Sequence, residues 1–184
     1  MDWVHRMHLA DGRGVLIRRA VRSDGPQIQR FMQSLSAQSR YERFFHPLRE
    51  LTHEMLNDIV QSDEAHGGAL LAFADAAHTD VVGMAQFEVV EPGHAEVAVV
   101  VSESWRRVGL ATQLLTDLEV LAASAGIGEA HADIRRGNAA ALTLARGVGC
   151  VVDTSVRAPY TIHVTKPAVV VPSARSLASA VAKH

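Results

Sequence analysis

The sequence predicts an α/β (α+β) domain: a central mixed, mostly antiparallel sheet of six to seven strands, flanked by helices. Three observations lead there. Short apolar and β-branched runs recur along the chain, each bounded by Gly, Pro, Asn, Asp or Ser. Between them lie stretches whose apolar residues return at i, i+3/i+4 and i+7, the stripe of an amphipathic helix. Side by side in the middle stand the clearest strand and the clearest helix. Val97-Ala98-Val99-Val100-Val101 is an unbroken run of the kind that is buried on both faces. After a turn, Leu110, Ala111, Leu114, Leu115, Leu118, Leu121 and Ala122 form the helical stripe.

Taken in order, residues 1–10 are mixed and read as a loose tail, and Asp11-Gly12-Arg13-Gly14 is a turn. Residues 15–19 are the first strand. Ser23-Asp24-Gly25-Pro26 opens a helix, with Ser23 or Asp24 as cap and apolar positions at Ile28, Phe31, Met32 and Leu35. Ser36 caps a second helix and Thr52 a third, which carries Met55, Leu56, Ile59 and Val60. Residues 68–73, 81–90 and the central run form three strands. The polar 75–80 segment and the Pro92-Gly93 turn connect them, so they should build an antiparallel meander. Gly126 and Gly128 end the central helix, residues 129–134 are a further strand, and Asn138 caps an Ala/Leu-rich helix that stops at Gly147 and Gly149. Residues 151–156 and 160–164 complete the sheet as a hairpin across Ala158-Pro159. From Pro167 the chain reads as a peripheral tail, with helical potential over 173–183. One domain, with its core over about 15–165, fits the 184 residues.

Composition narrows the function. A net charge of -2 argues against bulk nucleic-acid binding and against a polybasic membrane contact. One cysteine, Cys150, leaves no intrachain disulfide framework and reads as a small apolar filler. No apolar run reaches membrane-spanning length and no leader is recognisable, so the expected location is the cytoplasm. Ten histidines raise the question of a metal, but His53-Glu54-Met55-Leu56-Asn57 lacks the second His that a zinc site on a helix needs, and no metal is expected.

The chemistry centres on Trp105-Arg106-Arg107-Val108-Gly109-Leu110-Ala111. A strand that feeds a small, basic turn into a helix start makes an anion site. The first helical N–H groups have no partner inside the helix, and the macrodipole adds positive potential. No Gly-Lys-Ser/Thr follows, as a nucleotide-binding P-loop would need, and two of the three glycines of a dinucleotide fingerprint are missing. Arg106-x-x-Gly109-x-Ala111 resembles instead the R/Q-x-x-G-x-G/A signature of the GNAT superfamily of acyl-CoA-dependent N-acyltransferases. The element order and Asn138-x-x-Ala141-x-x-Leu144 with Gly149 resemble that superfamily too.

That resemblance implies a GNAT fold whose fourth and fifth strands splay apart to admit the pantetheine arm of acetyl-CoA. The implied cofactor-binding residues are Val99, Val101, Arg106, Arg107, Gly109, Leu110, Ala111, Thr112 and Asn138, the last of which a helix-cap role accounts for almost as well. More closely, Leu35-Ser36-x-x-Ser39-Arg40-Tyr41-x-Arg43-Phe44-Phe45, Glu50-Leu51-Thr52-x-Glu54-Met55-Leu56 and Ala95-Glu96-Val97-Ala98 resemble the catalytic domain of bacterial Pat-type protein lysine acetyltransferases. This implies acetyl transfer to a protein lysine, with a small-molecule amine as the alternative acceptor; the oligomeric state is left open, a homodimer being one option. Glu96 is the expected general base, with Glu88 and Glu103 in reserve. The aromatic–arginine stretch, with Arg40, Arg43 and Phe45, is either a wall of the acceptor site or a helix packed inward with solvated arginines. Two positions depart from the pattern. Ala145 stands where a Tyr is frequent as the acid for the leaving thiolate, which keeps a non-catalytic CoA-binding module open. Val108 replaces a frequent Arg or Lys, removing one phosphate contact.

Overall fold

A computed structural model of the chain describes residues 4–60, 66–74, 79–156 and 158–167. Residues 75–78 of the expected polar turn and the tail beyond Pro167 lie outside the described residues. An eight-stranded sheet runs through the molecule in the order β1-β2-β3-β4-β5-β6-β8-β7. Its strands are β1 (Val4–His8), β2 (Gly14–Arg19), β3 (Gly67–Phe73), β4 (Val81–Glu91), β5 (His94–Val101), β6 (Glu129–Arg135), β7 (Val151–Val152) and β8 (Thr161–Pro167). The helices are α1 (Gly25–Ser34), α2 (Ala37–Phe44), α3 (His53–Val60), α4 (Leu110–Ser124) and α5 (Ala139–Gly147). The sheet is mixed: β1 through β5 pair antiparallel in sequence order, β5 and β6 pair parallel, and β8 pairs antiparallel with β6 and β7.

The sheet is one strand larger than expected, because the stretch read as a loose tail supplies β1. Val4 to His8 pair with Arg18 to Gly14 in a hairpin. Two His and an Arg, alternating between exposed and half-buried, hide that strand from a search for apolar runs. At the other end β7 is shorter than expected, because the Ser155 amide and hydroxyl both bond the Asp153 carboxylate, 2.8 and 2.6 Å, and turn the chain out of the ladder.

Strand alternation sorts the core into two faces. Ile17, Leu70, Ala85, Ala95 and Val101 pack under Leu110, Leu114, Leu118 and Leu121 of α4. Leu16, Leu71, Met84 and Val100 pack against Ile28, Phe31 and Met32 of α1 and Ile59 and Val60 of α3. Helix α4 lies so close to β4 that a Cβ at Gly83 would stand 2.8 Å from a Val101 methyl and 2.9 Å from a Leu114 methyl, so only glycine fits there.

The caps are as expected at Ser36, whose hydroxyl accepts from the Ser39 amide at 3.1 Å, and at Thr52, which accepts from Met55 at 3.2 Å. Asp24 differs. It precedes α1 without capping it, and its buried carboxylate takes both forks of Arg18 at 2.7 Å and the Val21 amide at 2.8 Å. A bidentate ion pair outcompetes a single cap bond, so Asp24 ties β2 to the start of α1.

What matters for function is where the sheet comes apart. β5 and β6 pair at His94/Glu129, Ala95/Ala130 and Glu96/His131, and the register ends there. Beyond that rung the two strands diverge, the expected splay.

Candidate functional site

The splay opens a cleft of about 990 Å³, a volume suited to a sizeable ligand. Its walls are β5 and β6, the turn before α4, the facing sides of α4 and α5, and one turn of α2. At one end is the turn. Ser102 to Trp105 make a short 3-10 turn, Arg107 takes a left-handed φ of 60° and Gly109 one of 92°, and α4 begins at Leu110. The first bond inside this helix runs from the Gln113 amide to the Gly109 carbonyl at 3.0 Å, so the N–H groups of Leu110, Ala111 and Thr112 precede it. A Cβ on Gly109 would meet nothing within 4 Å: the space over these groups is open. Free amides, the positive end of a helix and a left-handed glycine together make a cradle for a phosphate.

Charge is organised beside the cradle. Glu103 Oε1 accepts from the Ser39 hydroxyl at 2.5 Å and from the Ser36 amide at 3.1 Å, and the Arg106 guanidinium donates to Ser39 Oγ at 2.7 Å. Partial burial disfavours its charge, but the hydrogen bonds from Ser39 and Ser36 outweigh that and hold the carboxyl down at about 2. Such a carboxylate is a poor proton acceptor, which removes Glu103 from the reserve of bases. Its work is to clip α2 onto the turn.

At the other end lies the last paired rung. Glu88, Glu96 and His131 stand in register across β4, β5 and β6, and of these Glu96 and His131 line the cleft while Glu88 does not. Above them α2 contributes Glu42 and Arg43, and Phe45 follows at its C-terminal cap. The Arg43 Nε is fully enclosed and has no hydrogen-bond partner among the described residues, and its guanidinium lies 4.7 Å over the Phe44 ring. Burial pulls its pKa down to about 10, while Glu96 and Glu88 pull it back up. A buried donor left unmade costs free energy, and the nearby carboxylates of Glu96 and Glu88 favour the charged form of this group.

Thirteen positions were expected from sequence, and the cleft gathers Glu96, Val99, Val101, Arg106, Arg107, Gly109, Leu110, Ala111, Thr112, Asn138, Arg43 and Phe45. Leu110 is 1% exposed and sends its side chain into the core, so its backbone alone serves the turn. The Asn138 side-chain Oδ1 accepts from the Ala141 amide at 2.9 Å, which is the helix-cap role. Arg40 is the exception: it does not line the cleft. It donates to the carbonyls of Leu48 at 2.7 Å, Met32 and Gln33 at 3.3 Å, and Leu35, tying the end of α1 to the loop after α2. Within the aromatic–arginine stretch, Arg43 and Phe45 line the cleft, while Arg40 is neither a wall nor a solvated arginine but is tied into backbone carbonyls. Ala145 and Cys150 also line the cleft among apolar neighbours, where burial pushes the thiol pKa up.

Sequence reasoning passed over Ser39, Glu42 and His131. The signal for His131 was available: Glu129, His131, Asp133 and Arg135 alternate with Ala130, Ala132 and Ile134, a strand with one polar face.

Residues 28–149 match the model of the acetyltransferase (GNAT) family. The chain is similar to the acetyltransferase PA5475 of Pseudomonas aeruginosa, 29% identical over 121 residues that make up 63% of this chain. The match spans 62% of that relative's length. Among solved structures, the GNAT domain of S. lividans PAT has a TM-score of 0.83 at 20% identity, covering 90% of this chain and 97% of that one. The PaiA N-acetyltransferase of Thermoplasma acidophilum, in complex with coenzyme A, has a TM-score of 0.65 at 17% identity, covering 83% and 98%. At such identities these two structures speak for the fold.

Proposed function

This chain belongs to the acetyltransferase (GNAT) family, a family of acetyl-CoA-dependent enzymes, and from that premise we propose that it transfers an acetyl group to a primary amine. The acceptor we propose is a protein lysine side chain, ahead of a small-molecule amine, attacking directly in a ternary complex with Glu96 as general base. One observation supports this reading most: a phosphate cradle at the α4 start and a carboxylate at the last rung of the splay line the same cleft.

Acetyl-CoA supplies the activated acyl group as a thioester. The amides of Leu110, Ala111 and Thr112, with Arg106 and Arg107, fit its pyrophosphate, and the β5 backbone at Val99 and Val101 lies along the open splay, where a pantetheine arm fits. Asn138, held as the α5 cap, borders the same channel. A free lysine begins near a pKa of about 10.4, so at neutral pH it arrives as an ammonium and must lose a proton before it attacks. Glu96 is exposed at the cleft wall and accepts that proton, directly or through water. Backbone N–H groups on the open edge of β5 polarise the thioester carbonyl, and Arg43 and Phe45 hold the acceptor. Holding both reactants in attack geometry supplies several kcal/mol of the barrier. This activity resides in one domain with its core over residues 15–165.

Ala145 favours a second reading, a module that binds CoA without turning it over, because a methyl at that position has no proton for a leaving thiolate. Incubation with acetyl-CoA and a panel of lysine-bearing proteins and small amines, read by mass spectrometry, tests the proposal. Acetyl transfer to an amine supports the enzyme. CoA binding without transfer to any acceptor supports the module.

A further inference from the structure

The reaction has two proton tasks, and the groups described so far cover only one. An ammonium acceptor loses its first proton to Glu96. When the neutral amine then forms the N–C bond, the nitrogen of the tetrahedral adduct carries a second surplus proton, and the sulfur needs one as the C–S bond breaks. Ala145 has none to give.

The same rung that holds Glu96 holds a titratable group that no step yet uses. Ala95, Val97, Val99 and Val101 face α4, so Glu96 faces the other side of the sheet, where α2 lies. On β6, Ala132 and Ile134 pack under α5, so His131, Asp133 and Arg135 share the face of Glu96. Arg135 confirms the assignment, its guanidinium 4.6 Å over the ring of Tyr41 in α2. His131 is the register partner of Glu96 at the point where β5 and β6 part. Behind it, its ring packs on that of His163 in β8, centroids 5.1 Å apart. His163 Nδ1 lies 3.2 Å from the Asp133 carboxylate. A carboxylate only accepts, so Nδ1 of His163 carries the proton, and this pair fixes the ring against which His131 rests.

We propose that His131 is the second proton-handling group. In its neutral form it takes the surplus proton from the adduct nitrogen and returns it to the sulfur as the C–S bond breaks. The products are the amide and a neutral thiol, and His131 ends as it began. The proposal rests on the acetyl-transfer reading above. An imidazole has one nitrogen that accepts a proton and one that donates it, so one ring can serve both halves of the relay. The titratable and charged groups on this face are His94 and Glu96 from β5, Glu88 from β4, Glu129, Asp133 and Arg135 from β6, His163 from β8, and Glu42 and Arg43 from α2.

The test uses the full chain, acetyl-CoA and a lysine-bearing peptide under conditions where chemistry limits turnover. His131→Gln should lower kcat by about 10²-fold or more and leave the Kd for CoA and the melting temperature unchanged, with His131→Asn as a second variant. Replacing the ester sulfur by selenium provides a far more acidic leaving group, which needs less help from an acid. The gap between wild type and His131→Gln should therefore shrink with the seleno ester. Full activity in both variants, or a gap of the same size for both esters, overturns the role of His131 and leaves the transfer reading standing. A wild-type chain that binds CoA and acetylates no amine overturns the transfer reading, and the role of His131 with it.

Discussion

At the turn end of the cleft, the groups we propose for the phosphate come from consecutive residues 106–112, and most of them are backbone. At the rung end, Glu96, His131, Arg43 and Phe45 come from β5, β6 and α2 and the residue after it, and what they bring to the cleft is side chains. The contrast predicts how each end fails. A backbone cradle is damaged by altering conformation and tolerates altered side chains. A side-chain constellation loses function through single truncations that leave the fold intact.

The largest effect belongs to the rung end. Glu96→Gln keeps the size of the side chain but cannot take the ammonium proton. Turnover at neutral pH should fall by about 10²–10⁴-fold while CoA affinity holds in calorimetry. Raising the pH should recover part of the loss, since more of the acceptor is then deprotonated without help. Near-wild-type turnover with chemistry limiting would make Glu96 structural and return attention to Glu88.

Next comes a pair of arginines three residues apart. Arg40→Ala removes donors to four carbonyls and should cost about 1.5–3 kcal/mol of stability, seen as a lowered denaturation midpoint with no selective change in acceptor KM. Arg43→Ala should do the opposite, raising acceptor KM about tenfold through loss of a charged hydrogen bond and leaving CoA affinity and the midpoint in place. Identical behaviour of the two would erase the distinction between scaffold and wall.

At the turn end, a β-branched residue at φ 92° is strained. Gly109→Val should cost about 1–3 kcal/mol of stability and weaken acetyl-CoA binding, because the branched side chain stands over the amides. Gly109→Asn tolerates the left-handed region better and should restore most of the stability. If its CoA affinity returns as well, conformation is what the cradle needs; if affinity stays low, the open space above the amides matters too.

The smallest effect is at the clip between the two ends. The Glu103 carboxyl is held at about 2 against an ordinary 4.5, a depressed value, so its contribution to stability is present above about pH 4.5 and is lost as pH falls toward 2. The stability difference between wild type and Glu103→Gln should follow that window and close at its acid end. A difference independent of pH would mean that the hydrogen bonds to Ser39 and Ser36 do not depend on the charge of Glu103.

The same contrast explains what was legible in the sequence. The strand, turn and helix of residues 97–121 are one contiguous pattern, so the geometry of that turn could be read residue by residue. Asn138 and Ala145 were readable for the same reason, each set by its own helix. Arg40 was misjudged because its partners, the carbonyls at the end of α1 and at Leu48, are backbone groups that leave no mark in sequence. His131 was missed because its meaning depends on which residue the neighbouring strand brings beside it. Register is a tertiary fact. β1 escaped because hairpin pairing, and not an apolar run, makes it a strand.

The most direct test of the account is a crystal structure of the chain with acetyl-CoA and an unreactive lysine analogue. The account predicts the pyrophosphate within hydrogen-bond distance of the Leu110, Ala111 and Thr112 amides, the pantetheine arm between β5 and β6, and the thioester at the Glu96/His131 rung with the acceptor nitrogen on the α2 side. A thioester that ends instead beside Cys150 and Ala145, with Glu96 and His131 facing only solvent, would contradict it.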